Sequence, residues 1–151
     1  MSGGQQGRRG WLLDTNVVSE LRRGLRCDPG VRAWAETVSP AACFLSRVTL
    51  AEIRFGIERA ADIAFRGELE AWLRDCVRPW FGVRVLEVDE AVLLAWRRLV
   101  LAGQKDGYTY AQPDALLAAT ALVHELGVVT RNTADFERAG VTLLNPWTTF
   151  L

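Results

Sequence analysis

The sequence predicts an α/β domain: a three-layer α/β/α sandwich around a mostly parallel central sheet of about five strands. Short apolar runs alternate along the chain with longer segments of helical spacing, which implies parallel strands covered on both faces. The 151 residues suit one domain with a full core. Half of them are apolar and 24% are charged, as in a globular protein.

The elements follow in order. Trp11 to Leu13 is an apolar run closed by Asp14, a buried strand ending in a polar turn. Thr15 and Asn16 can cap a helix that continues to Arg23 and that Gly24 ends. A second helix follows Pro29, with Val31, Trp34, Ala35 and Val38 at helical spacing. Residues 42–46 read as the second strand, after which Thr49 opens a helix carrying Ala51, Ile53 and Ile57. A longer helix over 63–80 gathers Leu69, Trp72, Leu73 and Cys76 on one face. A third strand over 83–88 and a helix over 90–101 lead into a glycine-bearing polar loop over 102–112. The segment 113–126 is rich in Ala and Leu and apolar almost all round, so it is placed inside the protein as a helix that Gly127 stops. Strands over 128–130 and 141–144 complete the sheet. Residues 1–10 hold charges with no apolar core behind them, so they read as a flexible lead and not a secretory signal; 11–151 form the single domain.

Lys+Arg and Asp+Glu both number 18, so any attraction for a nucleic acid comes from local patches. Three cysteines (Cys27, Cys43, Cys76) without a CxxC spacing fit a reducing, cytoplasmic compartment and argue against a disulfide or zinc framework. No apolar run approaches membrane-spanning length.

Four acids carry the chemistry. Asp14, Glu52, Asp114 and Asp135 each stand just past an expected strand, at or near the next helix start. In an open α/β sheet such positions face one crevice at the carboxyl ends of the strands. Each has a local explanation. Thr49-x-x-Glu52 has capping-box spacing, Asp114 sits in a first helical turn where the macrodipole favours it, and Asp14 and Asp135 can bond nearby backbone N–H groups. Capping does not explain why Asp14 closes an apolar strand, or why the apolar helix over 113–126 carries its one Asp at the entrance. Carboxylates gathered in one crevice repel each other unless a cation joins them. Oxygen donors without His or Cys favour Mg²⁺ or Mn²⁺, and such an ion suits phosphodiester hydrolysis.

Five segments in order resemble the PIN-domain family, specifically the VapC/FitB type of toxin from type II toxin–antitoxin pairs. They are Leu12-Leu13-Asp14-Thr15-Asn16 and its continuation to Leu21, Leu45 to Ile53 around Glu52, Pro113-Asp114-Ala115-Leu116-Leu117 and onward to Ala121, Val129 to Phe136, and Leu144-Asn145-Pro146-Trp147. The resemblance implies a PIN-like nuclease domain, a metal-dependent ribonuclease whose first three acids are Asp14, Glu52 and Asp114. The family's fourth acidic position falls at Asn132 or Asp135. Many relatives have Asp where this chain has Asn132, and an amide brings no charge, which leaves Asp135 as the candidate fourth carboxylate. Asn16 and Thr130 would orient carboxylates. The resemblance also implies a homodimer, a VapB/FitA-like antitoxin laid into the active-site groove, operator DNA reached only through that antitoxin, and tRNA or ribosomal RNA loops as substrate. The alternative within the family is a weakly or non-catalytic partner of a DNA-binding antitoxin.

Other features weigh less. His124 lies far along the helix from Asp114 and suits a core-edge position. Trp72, Trp80 and Trp96 suit core or dimer contacts. Arg22, Arg23, Arg26 and Arg32 suit a solvated face, or a grip on an RNA backbone. An aspartate-nucleophile phosphatase would need a second acid at position 16, which is Asn. A dinucleotide-binding fold would need GxGxxG after the first strand, which is absent.

Overall fold

Successive residues of the first strand face opposite ways, and the two helical layers follow from that. In the computed structural model, which describes residues 9–149, Leu13 packs into one core and Leu12 into another. Residues 1–8 of the expected lead lie outside the described residues. The elements are β1 (Gly10–Leu13), α1 (Thr15–Leu21), α2 (Pro29–Thr37), β2 (Cys43–Ser46), α3 (Arg47–Glu58), α4 (Ile63–Trp72), α5 (Arg78–Phe81), β3 (Val85–Leu86), α6 (Glu90–Lys105), α7 (Gln112–His124), β4 (Leu126–Val129), β5 (Leu143–Leu144) and α8 (Pro146–Thr149).

The five strands lie in the order β3-β2-β1-β4-β5 and all four pairings are parallel. The architecture is the expected three-layer sandwich. Val17, Val18, Trp34, Leu50, Ile53, Val77 and Phe81 cover one face of the sheet, against Leu13, Leu45 and Val129. Leu117, Ala118, Ala121 and Phe136 cover the other, against Leu12 and Val128. Each fully buried Leu or Val is worth about 1.5–3 kcal/mol relative to exposure. The direction in which strands are added reverses between β1 and β4. That is the place where such sheets open a crevice beyond their carboxyl ends.

Side-chain caps fix several helix starts. The Asp28 carboxylate accepts from Gly30 and Val31 N–H at 2.8 and 3.1 Å, Asp62 accepts from Ala64 and Phe65, and Asp89 accepts from Val92.

The structure departs from the sequence expectations at several points. Gly10 already belongs to β1, paired with Leu126; a Cβ there would lie 2.3 Å from the Ala42 carbonyl oxygen. Asp14, not Thr15 or Asn16, caps α1. Ser46, not Thr49, caps α3, accepting from Val48 N–H. The helix over 63–80 is interrupted by a π turn over Leu73–Val77, where Arg78 N–H bonds the Leu73 carbonyl. Pro79 follows at once and has no N–H to continue the regular ladder. The extra residue rotates the face, so Val77 enters the core and Cys76 is exposed. The third strand shrinks to two residues because residues 82–84 form a 3₁₀ turn that leaves Val83 in solvent. The expected loop over 102–112 begins as helix: α6 runs to Lys105, and Gly103 is buried because Tyr108 and Tyr110 close over it. Gly127 does not stop α7. Glu125 does, in a left-handed conformation (φ 57°), and Gly127 lies within β4. Leu122 and Val123 in the last turn of α7 reach solvent, so that helix is buried mainly over its middle.

Candidate active site

Asp14 leaves β1 at the centre of the sheet and Thr130 leaves the neighbouring β4, so the crevice at the strand-order reversal is walled by these two. The Thr130 hydroxyl donates to Asp14 Oδ2 at 2.8 Å, a contact buried between residues 116 apart in sequence. Thr15 N–H donates to Asp14 Oδ1 at 2.8 Å, and the Asn16 amide donates to Oδ2 and to Thr130 Oγ1, each at 3.4 Å. Asn16 is held in turn: its Oδ1 accepts from Arg131 N–H at 3.2 Å. Thr130 Oγ1 also accepts from Asn132 N–H at 3.0 Å. Asp14 is thus clamped from three sides and only 9% exposed.

The other acids are placed differently. Glu52 is exposed in the second turn of α3 and lines two clefts beside that helix. Since Ser46 caps α3, the Thr49-x-x-Glu52 spacing does not act as a capping box; the Thr49 hydroxyl is buried without a partner. Asp114, in the first turn of α7, makes no capping bond. Asp135 is exposed in a short 3₁₀ turn after β4, again without a capping bond. The side chains of Glu52, Asp114 and Asp135 make no hydrogen bond among the described residues. Local capping therefore accounts for one oxygen of Asp14 and for none of the others.

Electrostatics tie the four together. Burial pushes the Asp14 carboxyl above its ordinary range, opposed by the bonds from Thr130, Thr15 and Asn16, and the charge of Asp135 pushes it further. Partial burial and then the charge of Asp14 raise Glu52. Asp114 is pushed up to about 6, by burial first and then by the charges of Asp14, Asp135 and Glu52. Asp14, Glu52 and Asp114 are thus each raised in part by the charge of another acid. Asn132 is exposed, uncharged, and offers the cluster only a side-chain amide.

The donors are all oxygen, which fits a hard divalent ion. Among the described residues, however, no three His, Cys, Asp or Glu side chains are grouped so as to hold one ion, so the ligand set is not closed. Mutual repulsion of like charges opposes such closure when nothing neutralises them. His124 is half-buried at the far end of α7, away from these acids.

Two further residues of the site region, Asn145 and Trp147, come from the tail segment Leu144-Asn145-Pro146-Trp147. Asn145 donates from Nδ2 to the Arg131 carbonyl at 3.3 Å, and the Arg131 guanidinium lies over the Trp147 ring at 5.2 Å. Together they tie the segment after β4 to the start of α8. The Leu144-Asn145-Pro146-Trp147 string was the available signal.

The PIN domain model matches residues 11–141. The chain belongs to the PIN-domain family. It is closely related to the FitB and VapC toxins within it. It is 36% identical over 138 residues to toxin FitB of Neisseria gonorrhoeae, covering 90% of this chain and 97% of that one. It is 35% identical over 136 residues to the VapC ribonuclease Y4jK of Sinorhizobium fredii, covering 90% and 96%. Among solved structures, a chain of FitAB bound to an IR36 DNA fragment superposes with a TM-score of 0.84 at 32% identity, over 91% of this chain and 95% of that one. No helix among the described residues of this PIN-domain chain is long and apolar enough to cross a membrane.

Proposed function

We propose that this chain is the toxin of a type II toxin–antitoxin pair and a Mg²⁺- or Mn²⁺-dependent ribonuclease. It hydrolyses phosphodiester bonds in a tRNA or ribosomal RNA, so arresting translation and growth in the cytoplasm. The observation that carries this reading is the gathering of acids beyond the strand ends: Asp114 is pushed up to about 6 by burial first and then by the charges of Asp14, Asp135 and Glu52. Its similarity to a toxin and to a ribonuclease supports it.

Asp14, Glu52 and Asp114 would hold the ion, with Asp135 as the fourth carboxylate and Asn132 as a neutral neighbour. When bound, the ion supplies Lewis acidity that makes a water more acidic and offsets charge on a phosphate. The chain's own residues do the rest. Thr130 and Asn16 keep Asp14 in one orientation. α7 starts without a side-chain cap, which leaves backbone N–H groups beside Asp114 free for an anionic oxygen. Burial around Asp14 lowers the local dielectric and strengthens every charge interaction there. A VapB/FitA-like antitoxin, and operator DNA through it, belong to the same proposal. So does a homodimer, for which half-exposed Leu94 and Leu101 on α6 offer apolar surface.

The test uses purified protein free of antitoxin, structured RNA, and Mg²⁺ followed by EDTA. Metal-dependent cuts are expected, and Asp14→Asn, Glu52→Gln and Asp114→Asn should each keep the fold and lose them. A second reading, a non-catalytic partner that helps an antitoxin sit on DNA, is favoured by the unclosed acid cluster and by the neutral Asn132. Absence of cuts on every RNA tried, with tight operator binding by the complex alone, would establish it.

A further inference from the structure

Two clefts flank α3, and they share two residues, Glu52 and Gly56. The larger, about 780 Å³, lies towards α7 and is also lined by Phe55, Arg59, Pro113 and Leu116. The smaller, about 190 Å³, lies towards α1 and α4 and includes Thr15, Arg22 and Trp72. Glu52 and Gly56, one helical turn apart, stand on the same face of α3 and form the ridge between the clefts.

Gly56 has no structural reason to be glycine. Its φ is not in the left-handed region, and a Cβ built there would meet nothing within 4 Å. It lies inside the helix, before the end at Glu58, whereas a capping glycine belongs past the end. A helical glycine costs stability relative to alanine. What it provides is a missing side chain: the ridge is lowest beside Glu52.

Each cleft is also lined by one arginine that lies over an exposed ring; Phe55 itself lines the larger cleft, and Phe65 stands outside the lining of the smaller one. The Arg59 guanidinium lies 5.7 Å from the centre of Phe55, which is 59% exposed. The Arg22 guanidinium lies 5.4 Å from the centre of Phe65, which is 40% exposed. Neither arginine pairs with a carboxylate among the described residues. A guanidinium without a carboxylate partner, beside a ring that keeps exposed surface for a base, suits an unpaired strand, because a base inside a duplex has no free face to stack.

We propose that Gly56 is a saddle over which one unpaired RNA strand crosses α3, passing Glu52, with Arg59 holding it in one cleft and Arg22 in the other. The proposal rests on the ribonuclease reading and names the chain's strand-positioning residues.

The experiment measures three quantities on the full, antitoxin-free chain: melting temperature, binding of a fluorescein-labelled unstructured RNA 12-mer in EDTA, and its cleavage in Mg²⁺. Gly56→Ala should melt ~1–3 °C higher yet bind RNA at least about threefold more weakly. Gly56→Leu should bind at least about tenfold more weakly and melt no lower than wild type, since leucine is also a good helix former and a Cβ there meets nothing within 4 Å. Arg59→Gln and Arg22→Gln should each weaken binding severalfold and flatten the dependence of log affinity on log salt by ~0.7. Arg54→Gln, on the same helix but outside both clefts, should change binding little. Gly56 variants that bind RNA as wild type does, while wild type binds and cleaves, overturn the proposal and leave the ribonuclease reading intact. Variants that keep RNA but lose the cognate antitoxin overturn it in favour of a protein occupant. A wild-type chain that neither binds nor cuts RNA removes the ribonuclease reading and this proposal with it.

Discussion

Asp14 and the pair Glu52 and Asp135 carry the same functional group in opposite settings. Asp14 sits at the end of the central strand, buried, with Thr130, Asn16 and Thr15 bonded to its two oxygens. Glu52 and Asp135 stand on the rim, exposed and, among the described residues, without a side-chain hydrogen bond of their own. The contrast shows how the labour divides. The sheet fixes one carboxylate before any ligand arrives, at a desolvation cost that its donors partly offset. The rim carboxylates are left to adjust, and the like charge they share with Asp14 and Asp114 opposes closure until something neutralises it.

The largest effect expected from this contrast is at the fixed carboxylate. Asp14→Ala should lower metal-dependent RNA cleavage by more than about 10³-fold, since residues that merely orient ligands are already worth 10–100-fold. A variant that still cuts within tenfold of wild type would erase the distinction between centre and rim. Thr130→Val should come next. It removes the hydroxyl that donates to Asp14 and accepts from Asn132 N–H, costing about 1.5–3 kcal/mol in urea unfolding and about 10–100-fold in cleavage. Thr130→Ser should recover most of both. Asp135→Asn should cost less, ~3–10-fold, seen mainly as a weaker apparent affinity for Mg²⁺, and Asn132→Asp should tighten Mg²⁺ binding. A larger loss at Asn132→Ala than at Asp135→Asn would reassign the fourth position.

The smallest effect is thermodynamic and concerns the metal-free protein. A carboxyl whose folded pKa is raised contributes stability that is fully present below its unfolded pKa and is lost as pH rises through the folded value. For Asp114 that window runs from 3.8 to about 6. Asp14 and Glu52 shift in the same direction. In EDTA the melting temperature should therefore fall by a few degrees between pH 5 and 7.5. That corresponds to roughly 1 kcal/mol after allowance for solvent screening. Asp114→Asn should flatten that slope and raise the melting temperature at pH 7.5. Calorimetric scans at the two pH values decide it, and a slope of the opposite sign would mean that the acids do not crowd one another.

The parallel sheet was legible because its strands are short apolar runs between helical segments, and local composition carries that pattern. The four acids stood out as candidates in the sequence because strand ends in such a sheet share one side. Contacts between distant segments were not legible from periodicity or spacing. The Thr49-x-x-Glu52 spacing imitates a capping box, but Ser46 one turn earlier takes the cap, and the choice depends on where β2 stops. Pro79 hides the π turn that moves Cys76 outward and Val77 inward. Gly127 looks like a helix stop, yet it pairs with Trp11 in the sheet while Glu125 takes the left-handed turn. The helix α6 outruns its pattern because Tyr108 and Tyr110 bury Gly103 from beyond its end. The grip of Asn16 on both Asp14 and Thr130 depends on β1 and β4 lying side by side, which periodicity does not reveal.

The central place of β1 also sets a timetable. Its neighbour β4 is made more than a hundred residues later, and the Thr130 hydroxyl that secures Asp14 is 116 positions downstream. At ~5–20 residues per second of synthesis, the first carboxylate waits on the order of ten seconds for its clamp. On the proposed ribonuclease reading, a growing chain of this kind would be harmless to the machinery that makes it until it is nearly finished, which would leave time for a neutralising partner to be at hand.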